Sequence, residues 1–315
     1  MNSPTNKRVL IIGGAGFIGN HLSEACLAKG YKVKVADVQL PVKPKENIKY
    51  FKGNYKDPDF LREAIEDVNY VIHLAHDTML LKLDCNMVDE FQRNIIPSIQ
   101  LMDACIDEGV EKLLFVSSGG TVYGKSSSHI PLKEDSCTAP ISVYGTSKLT
   151  IENTGRLYFY QKKLPIIIAR PGNAYGPGQI PYKGQGIIAT AFASAIDDKD
   201  IHVYGDGSVV RDYVHVRDIA QALCCLLKRG KVGHTYNIGT SIGTTLKELL
   251  EGSIKPIIQK EGFNLSCIYE PSRGVDVEFN VLCNRKIHSE TSFEASIDLY
   301  EGLLDTWNWI KAIRS

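Results

Sequence analysis

The feature that most constrains the fold of this chain is a glycine-rich run that directly follows an apolar segment near the N-terminus. The run occupies residues 13–19 and reads Gly-Gly-Ala-Gly-Phe-Ile-Gly, and the apolar segment spans 8–12. Glycines let a backbone turn sharply and approach a pyrophosphate closely, and the start of a following helix offers unpaired N–H groups. The run therefore predicts a strand, a phosphate-binding turn and a helix.

Asp37 indicates which dinucleotide this turn would hold. It ends a second apolar segment, 32–37, and stands 18 residues past Gly19. A carboxylate at that place accepts hydrogen bonds from an adenosine ribose and would repel a 2′-phosphate. The sequence therefore predicts NAD, rather than NADP, as the cofactor.

Apolar runs alternate with amphipathic segments through the first half of the chain. Strands are predicted at 8–12, 32–37, 49–52, 70–74, 112–117 and 166–170. Helices are predicted at 17–29, 87–108 and 144–161. The strand segments lack period-two patterning, which suits burial on both faces, and their alternation with helices predicts a parallel sheet covered on both sides. Gly30 and Gly109 follow predicted helices and suit left-handed C-terminal caps.

The pattern changes at a Gly/Pro-rich stretch, 171–186, beyond which the elements are shorter. The fold class predicted is α/β, a Rossmann-type doubly wound parallel sheet with a smaller α+β substrate-binding lobe. The sheet domain is predicted at 1–172, with parts of 208–240 returning to it, and the lobe at 173–207 and 241–315. Because ligands of such sheets bind beyond the carboxyl ends of the strands, the lobe would close a cleft there.

Charge and composition exclude several classes of partner. The chain has 36 lysines and arginines against 36 aspartates and glutamates, so we expect neither nucleic acid nor a membrane surface as a partner. Its apolar runs fall short of a membrane span, and its N-terminus lacks a signal-peptide pattern, so a cytoplasmic protein is expected. The eight cysteines show no ligand spacing and are expected to be reduced and buried.

The histidines give no reason to expect a metal. None of the eight shows the spacing of a ligand set. His73 and His76 flank the end of the predicted fourth strand, near the expected cofactor. Burial or a hydrogen bond is expected for both of them, rather than a part in catalysis.

A second group with chemical meaning is Tyr144-Gly-Thr-Ser-Lys148. In the helix predicted at 144–161, a spacing of four places both side chains on one face. An ammonium group beside a phenol stabilises the phenolate and lowers the pKa of the tyrosine, which makes it an acid and base near neutral pH. The pair predicts proton transfer to and from a bound substrate.

These motifs and several later ones resemble the extended short-chain dehydrogenases/reductases of the nucleotide-sugar epimerase/dehydratase family, and among these the UDP-hexose 4-epimerases most closely. The resemblance runs almost from end to end. The matching residues are Gly13, Gly16 and Gly19, His73-Leu74-Ala75, Asn94, 117–124, Tyr144 and Lys148, 170–178, 204–207, 211–218 and 273–276.

The resemblance implies a set of site residues. It implies catalysis by Tyr144 and Lys148, assisted by a hydroxyl group of Ser118 or Thr121. The implied cofactor-binding residues are Gly13, Gly16, Phe17, Ile18, Gly19, Asp37, Asn54, Leu74, Ala75, Asn94, Tyr144, Lys148 and Pro171. The implied substrate-binding residues are Asn173, Tyr204, Arg211, Arg273, Asp276 and Asn280.

The resemblance also implies how a UDP-sugar would be held. Arg211 and Arg273 would fork onto the diphosphate oxygens, and Asn173 would donate amide hydrogen bonds. Asp276 would take a hydroxyl of the nucleoside ribose, and Tyr204 would lie against the base.

The chain departs from the family pattern at three neighbouring positions and at Asn54. Gly119 stands where many relatives carry the assisting Ser or Thr, so Ser118 or Thr121 must serve, or no hydroxyl does. Gly120 and Thr121 stand where the family's 4,6-dehydratases have an Asp and a Glu, and decarboxylating relatives also use a Glu at the second place. Neither residue here can transfer a proton in that role, which disfavours both reactions. Asn54 stands where relatives usually have an Asp that faces the adenine.

With dehydration set aside, the resemblance implies epimerisation at C4 of the sugar. Tyr144 would remove the 4-hydroxyl proton while hydride passes from C4 to NAD, and hydride would return to the opposite face of the 4-keto sugar. In the epimerases, the residue four after the Arg-x-x-Asp aspartate gates the pocket, and a residue smaller than an aromatic one admits N-acetylhexosamines. That residue is Asn280, so tolerance of N-acetylated sugars is predicted.

Two other functions stay open at this point. A nucleotide-4-keto-sugar reductase that uses NADH or NADPH would have the same Tyr144 and Lys148 but release its cofactor in each turnover. A catalytically silent nucleotide-binding protein would need neither residue. Relatives commonly dimerise through the helices that correspond to 87–108 and 144–161, so a homodimer is expected.

Overall fold

The fold is built around β-strands that alternate with helices along most of the chain. A computed structural model describes residues 6–41, 43–77, 86–126, 129–183, 186–272 and 277–314. The strands are β1 (Arg8–Ile12), β2 (Lys32–Asp37), β3 (Ile48–Lys52), β4 (Tyr70–His73), β5 (Lys112–Val116), β6 (Ile166–Pro171), β7 (Asn173–Tyr175), β8 (Ile201–Tyr204), β9 (Val210–Arg211), β10 (Tyr213–His215), β11 (Thr235–Ile238), β12 (Thr244–Thr245), β13 (Cys267–Glu270) and β14 (Phe279–Asn280). The α-helices are α1 (Phe17–Ala28), α2 (Pro58–Ile65), α3 (Met87–Glu90), α4 (Ile96–Asp107), α5 (Val143–Lys162), α6 (Ile187–Asp197), α7 (Val216–Arg229), α8 (Lys255–Gln259), α9 (Arg285–Thr291) and α10 (Leu299–Arg314). Two π-helical segments, Phe91–Ile95 and Glu248–Ile254, run directly into α4 and α8.

Seven strands form one parallel sheet in the order β11-β6-β5-β4-β1-β2-β3. Strand β1 lies between β2 and β4, so the chain winds outward in both directions from the centre. The predicted doubly wound parallel sheet is confirmed, and each of the six predicted strands agrees with the structure to within one residue at either end. The carboxyl ends of β1 and β4 diverge at this reversal, which is where ligands of such sheets bind.

Helices cover both faces of the sheet because its strands are apolar on both sides. Val9 and Ile11 of β1 point into a core formed with α1 and α7, and Leu10 and Ile12 point into a core formed with α2, α4 and α5. All four side chains are fully buried. The sheet therefore separates two hydrophobic cores, as a strand without period-two patterning requires.

A third core lies in the second half of the chain, where small two- and three-stranded sheets meet helices α6, α8 and α10. Trp307 of α10 is fully buried at its centre, between the rings of Phe192 and Phe263, each 5.3 Å from the tryptophan ring centroid. The indole N–H donates to Glu261 over 2.8 Å. The boundary proposed between a sheet domain and a lobe at residues 172 and 173 stays a prediction.

The prediction of one continuous helix at 87–108 is wrong. The structure has α3, a π-helical segment and α4 in this stretch. The N–H of Ile96 donates to the carbonyl of Phe91, five residues back. Pro97 follows at the start of α4 and has no N–H to donate, so the regular pattern of bonds cannot continue through this region. The predicted caps are confirmed, since Gly30 and Gly109 have φ angles of 84° and 63°.

The cysteines follow their prediction in part. Among the described residues all seven are free, and Cys26 and Cys224 meet inside the core with their sulfur atoms 3.5 Å apart. The predicted burial is wrong for Cys137, which is exposed because it lies in an irregular surface segment, and holds only in part for Cys225 and Cys267, which are half-buried. Cys85 lies outside the described residues. Within the described ranges, the helices are too short or too polar to cross a membrane.

A buried ion-pair network ties α5 to the sheet. The Glu152 carboxylate accepts hydrogen bonds from Nε and Nη2 of Arg170, over 2.9 and 2.6 Å, and from Arg156 over 2.8 Å. Nη1 of Arg170 donates to the Tyr123 hydroxyl over 2.9 Å. Both Glu152 and Arg170 are almost fully buried. Because Glu152 lies one turn beyond Lys148, the network fixes the part of α5 that carries Lys148.

Replacing Arg170 by methionine tests this network. We expect Arg170→Met to lower the free energy of unfolding by about 3 kcal/mol, because the buried Glu152 charge loses its main partner. Urea denaturation followed by circular dichroism measures the change. Arg62→Met, which removes the exposed partner of Asp59, is the control and should have a much smaller effect. An Arg170→Met protein as stable as the wild type would contradict this role of the network.

Candidate active site

The glycine-rich turn leaves β1 and closes against the end of β4. Gly13 has a φ angle of 82°, and a Cβ atom there would lie 2.7 Å from the backbone N of Ala75. A Cβ atom at Gly19 would lie 2.5 Å from the Cα of Gly14. At the exposed Gly16, by contrast, a Cβ atom would meet one atom at 3.4 Å. The outer glycines are therefore required for packing, and Gly16 leaves open space at the start of α1.

The N-terminus of α1 faces this open space without a side chain to cap it. Gly16 is the N-cap residue and makes no capping hydrogen bond through a side chain. Asp37, at the end of β2, accepts a hydrogen bond from the backbone N–H of Ala15 over 3.0 Å, which holds its carboxylate beside the turn. A helix start attracts a pyrophosphate, and a neighbouring carboxylate accepts bonds from a ribose. These residues fit NAD.

The remaining residues expected at the cofactor lie along the same edge of the sheet. Leu74 and Ala75 follow β4 and donate to the carbonyl of Ile12 over 2.9 and 3.0 Å. Asn54 is exposed after β3. Asn94 is buried in the π-helical segment. Phe17 and Ile18 begin α1, and Pro171 ends β6 and is buried.

Helix α5 presents Tyr144 and Lys148 at the carboxyl edge of the sheet. The Ser142 side chain caps the helix by accepting from the N–H of Gly145 over 3.1 Å. The helix therefore begins with Tyr144 in its first turn and Lys148 one turn later. The ammonium nitrogen of Lys148 lies 5.7 Å from the centre of the Tyr144 ring.

Lys148 is buried in a water-poor environment. Its ammonium group donates to the carbonyl of Val116 at the end of β5 over 2.9 Å. Burial lowers the pKa of Lys148 to about 7, although the charges of Glu90 and Glu152 raise it. At neutral pH the lysine is therefore close to its midpoint, and the nearby carboxylates favour its charged form.

The hydroxyl group that reaches Tyr144 belongs to Ser118. Burial raises the pKa of Tyr144 to about 12, and a hydrogen bond with the Ser118 side chain lowers it. The Thr121 hydroxyl is buried and has no hydrogen-bond partner among the described residues. Of the two candidates left open by the sequence, the geometry favours Ser118.

The position of the missing family hydroxyl, Gly119, is filled from a distant part of the chain. A Cβ atom at Gly119 would lie 2.4 Å from Cδ1 of Leu282, so a serine there would clash with this leucine. Asn280 is fully buried and donates from its amide nitrogen to the carbonyl of Gly119 over 3.0 Å. Leu282 therefore fills the space beside Gly119 with an apolar side chain, where the resemblance implies a hydroxyl in many relatives. Asn280 lies directly beside Gly119.

The structure describes four of the six residues expected to bind the substrate, and it places two of these four beside the loop that carries Ser118. A Cβ atom at Gly120 would lie 3.0 Å from Oδ1 of Asn173, so Asn173 borders the loop of Ser118. Nη1 of Arg211 donates to the backbone carbonyls of Val210 and Val277 over 2.9 and 2.6 Å. Tyr204 ends β8. Arg273 and Asp276 lie outside the described residues, so their predicted contacts with the substrate stay predictions.

Two residues beside Tyr144 were not assigned to the site from the sequence. The imidazole of His76 packs edge-on against the Tyr144 ring, with centroids 4.8 Å apart, and its Nε2 lies 3.1 Å from Oε1 of the buried Glu90. The predicted burial of His76 is confirmed, but its partner is a carboxylate of the active site. The spacing of Glu90 four residues before Asn94, on one helix face, was the signal that could have pointed to it.

Comparison with known proteins places the chain in a family. The model of the NAD dependent epimerase/dehydratase family matches residues 9–239, well over half of the chain. A putative UDP-glucose 4-epimerase from Methanocaldococcus jannaschii is 31% identical over 311 residues, which cover 96% of this chain and 98% of that protein. A dTDP-D-glucose 4,6-dehydratase from Dictyostelium discoideum is 32% identical over 257 residues, covering 74% of this chain and 58% of that protein.

A solved structure extends the similarity to three dimensions. The UDP-glucose 4-epimerase of Thermotoga maritima, crystallised with UDP-glucose, is 30% identical, with a TM-score of 0.90 over 98% of this chain and 100% of that one. Its similarity therefore includes both the sheet and the second half of the chain. The chain belongs to the NAD-dependent epimerase/dehydratase family.

Proposed function

We propose that this protein is an NAD-dependent epimerase that inverts C4 of a UDP-hexose or UDP-N-acetylhexosamine through a transient 4-keto sugar. The observation that carries the proposal is the cluster of Ser118, Tyr144 and Lys148 at the same sheet edge as the glycine-rich turn. Its similarity to UDP-glucose 4-epimerases over nearly the whole chain supports the UDP-sugar as substrate.

Tyr144 is the group that exchanges the proton of the 4-hydroxyl. Its phenolic oxygen takes that proton as C4 is oxidised and returns it as C4 is reduced, so no net proton is gained or lost. NAD held by the glycine-rich turn and Asp37 would supply the acceptor for the C4 hydride and the donor that returns it. The Ser118 hydroxyl and the Lys148 ammonium stabilise the phenolate between these two steps.

The remaining polar residues hold the nucleotide rather than the sugar. Asn173 borders the Ser118 loop, Arg211 pairs in the strand register with Asn280, and Arg273 and Asp276 complete the predicted set. If the substrate is bound mainly through its diphosphate, the 4-keto sugar can rotate and present either face to the cofactor, as inversion requires. The compact Asn280, beside Gly119, leaves room for an N-acetyl group on the sugar.

Dehydration is disfavoured by the same loop. Gly120 and Thr121 carry no acid or base that could remove water from the sugar, although dehydratases are among the relatives. The similarity to 4-epimerases over almost all of the chain favours epimerisation over the reductase as well. A silent binding protein would have no need of a buried lysine beside a tyrosine.

The experiment that tests this function follows anomeric protons by NMR. The purified protein, alone and then with NAD, is incubated with UDP-glucose, UDP-galactose and their N-acetylated counterparts. We expect interconversion of the C4 epimers of both kinds of sugar. Tyr144→Phe should lower turnover by about 10²- to 10⁴-fold, because the proton acceptor is lost, and should leave sugar binding unchanged by calorimetry.

The outcomes separate the candidates. If no sugar is converted, or if Tyr144→Phe keeps the wild-type rate, the proposal is wrong. Conversion of UDP-glucose without UDP-N-acetylglucosamine would overturn the tolerance attributed to Asn280 and leave the epimerase standing. Oxidation of NADH or NADPH by a 4-keto sugar, without epimerisation, would identify the reductase.

Two hydroxyl variants test the assignment of Ser118. We expect Ser118→Ala to lower kcat about tenfold, the value of one hydrogen bond to Tyr144, with little change in KM. Thr121→Val, at a hydroxyl that does not reach Tyr144, should change kcat much less. Steady-state kinetics with the preferred sugar give both values. The reverse ranking of the two variants would assign the role to Thr121.

We also propose that the protein is a homodimer. The packed pair of α4 and α5, with the π-helical segment, carries large apolar side chains on its outer surface: Phe91, Ile96, Leu157 and Tyr160, each 42–72% exposed. Apolar groups that cluster on one helix face of a soluble chain are typical of a subunit interface. The helices are those through which the family resemblance implies dimerisation.

Charge substitutions on these helices test the dimer. We expect a dimer mass for the wild type by light scattering and a monomer for Ile96→Arg/Leu157→Arg, because two charges would be buried without partners. Ile242→Arg, at a still more exposed position elsewhere, is the control and should stay dimeric. A monomeric wild type would contradict the proposal.

The cytoplasm is the location we propose. The seven described cysteines are free, and Cys26 and Cys224 remain unbonded at 3.5 Å, which suits a reducing compartment. The fractionation of the tagged protein from its native host would test this location.

A further inference from the structure

Asp212 is a buried carboxylate between β9 and β10 that the proposed mechanism does not use. It is fully buried and directly follows Arg211, one of the residues expected to hold the substrate. Burial raises the pKa of this carboxyl group, and hydrogen bonds from other residues oppose that shift. A buried carboxylate needs partners that compensate for its lost hydration, so the partners of Asp212 indicate what it does.

The partners of the Asp212 carboxylate are uncharged donors from two segments that are far apart in the chain. Oδ1 accepts from the N–H and from the hydroxyl of Thr240, over 3.0 and 2.6 Å. Oδ2 accepts from the N–H groups of Ser241 and Leu282, over 3.3 and 3.1 Å. Successive backbone N–H groups that point to one place form a concavity that binds anions. The carboxylate therefore acts as an anion that holds the two segments together.

The loop that forms this concavity is shaped around the carboxylate. A Cβ atom at Gly239 would lie 2.5 Å from Oδ2 of Asp212, so a side chain there would displace the carboxylate. Ser241 has a φ angle of 63°, in the left-handed region that a serine seldom adopts. Its N–H bonds to Asp212, and its hydroxyl donates to the carbonyl of Leu282 over 2.9 Å. The same contacts therefore maintain the strained backbone and join the loop to Leu282.

The backbone of Asp212 connects residues that are expected to bind the substrate. Its N–H donates to the carbonyl of Asn280 over 3.0 Å, and its carbonyl accepts from the N–H of Asn173 over 2.8 Å. Arg211 precedes it in the chain. Of the four expected substrate-binding residues that the structure describes, three are therefore adjacent to Asp212 or bonded to its backbone.

The carboxylate of Asp212 fixes the contacts that reach the loop of Ser118. Its bond to the N–H of Leu282 holds the chain two residues after Asn280, whose amide donates to the carbonyl of Gly119 over 3.0 Å. The Leu282 side chain packs so closely on Gly119 that a Cβ atom there would lie 2.4 Å from Cδ1 of the leucine. Because Gly119 directly follows Ser118, a shift of Leu282 would move the loop that borders the substrate.

We propose that Asp212 is a positioning residue for the UDP-sugar, and that its carboxylate, bound by the N–H groups of Ser241 and Leu282, keeps the substrate-binding residues in place. This inference rests on the proposed function, since it concerns how the same substrate is held. Because Asp212 is fully buried, it acts on the substrate through Asn173 and Asn280 rather than by contact.

The isosteric variant Asp212→Asn tests the proposal by separating KM from kcat. An amide would point its own NH₂ group at N–H groups that now donate to the carboxylate, so the concavity would lose its anion. We expect KM for UDP-glucose to rise about tenfold, the value of a hydrogen bond to a charged group, with kcat changed by less than about twofold and the affinity for NAD unchanged. A fall in kcat without a rise in KM, or no change in either, would overturn the proposal.

Asp218 of α7 provides the matched control. It is 3% exposed and accepts from the N–H groups of Ser296 and Ile297, over 3.2 and 3.0 Å, and from the Ser296 hydroxyl over 3.1 Å. These partners precede α10 and include none of the residues expected to bind the substrate. Asp218→Asn should therefore lower the melting temperature, as Asp212→Asn does, but leave KM unchanged. If both variants raise KM alike, the effect is merely structural and the proposal is wrong.

Two milder variants keep the proposal testable if the loss of a buried carboxylate prevents folding. Thr240→Val removes the hydroxyl that donates to Asp212, and Ser296→Ala removes the hydroxyl that donates to Asp218. We expect Thr240→Val to raise KM about threefold and Ser296→Ala to leave it unchanged, since only the first hydrogen bond supports the substrate site. A wild-type KM for Thr240→Val would overturn the proposal.

Calorimetry without turnover separates this inference from the proposed function. Asp212→Asn and Asp218→Asn are each added to Tyr144→Phe, and UDP-glucose is titrated into the three NAD-loaded proteins. Asp212→Asn should weaken binding about tenfold, and Asp218→Asn should not. Because no sugar is converted, this comparison decides the inference even if the epimerase assay fails. Equal affinities, or a failure of all three proteins to bind UDP-glucose, would overturn it.

Discussion

The proposed proton transfer depends above all on keeping the buried ammonium group of Lys148 charged. Burial pulls the pKa of this lysine down to about 7, and an uncharged lysine could not stabilise the phenolate of Tyr144. The surrounding structure opposes that loss. Glu152, which is itself locked by Arg170 and so ties α5 to β6, and Glu90 both raise the pKa of Lys148. Fold stability and chemistry therefore share one set of buried charges.

Much of the fold followed from local sequence pattern. Strands buried on both faces are continuous apolar runs, and the glycine-rich turn needs residues without a Cβ atom, so both are visible along the chain. Tyr144 and Lys148 were likewise visible, because helical spacing alone puts them on one face. The break in the helix predicted at 87–108 could not be predicted from the sequence. A proline is common near the start of a helix, and the π-helical turn before it has no sequence pattern of its own.

The finer features of the site depend on contacts between distant residues. Gly119 is compatible with the fold because Leu282, far along the chain, fills the space of a side chain there. The proposed preference for Ser118 over Thr121 depends on loop geometry that neither residue type determines. His76 could be predicted as buried, but its partnership with Glu90 joins the end of β4 to α3 and has no signature in either segment alone.

In the proposed mechanism, C4 of the sugar is inverted by removal and return of the same hydride, while Tyr144 carries only the hydroxyl proton. The direct test is to run UDP-glucose with the protein in heavy water and examine the product by NMR. We predict UDP-galactose that keeps its hydrogen on C4, because that hydrogen never exchanges with solvent. Deuterium on C4 of the product, or an absence of conversion, would contradict it.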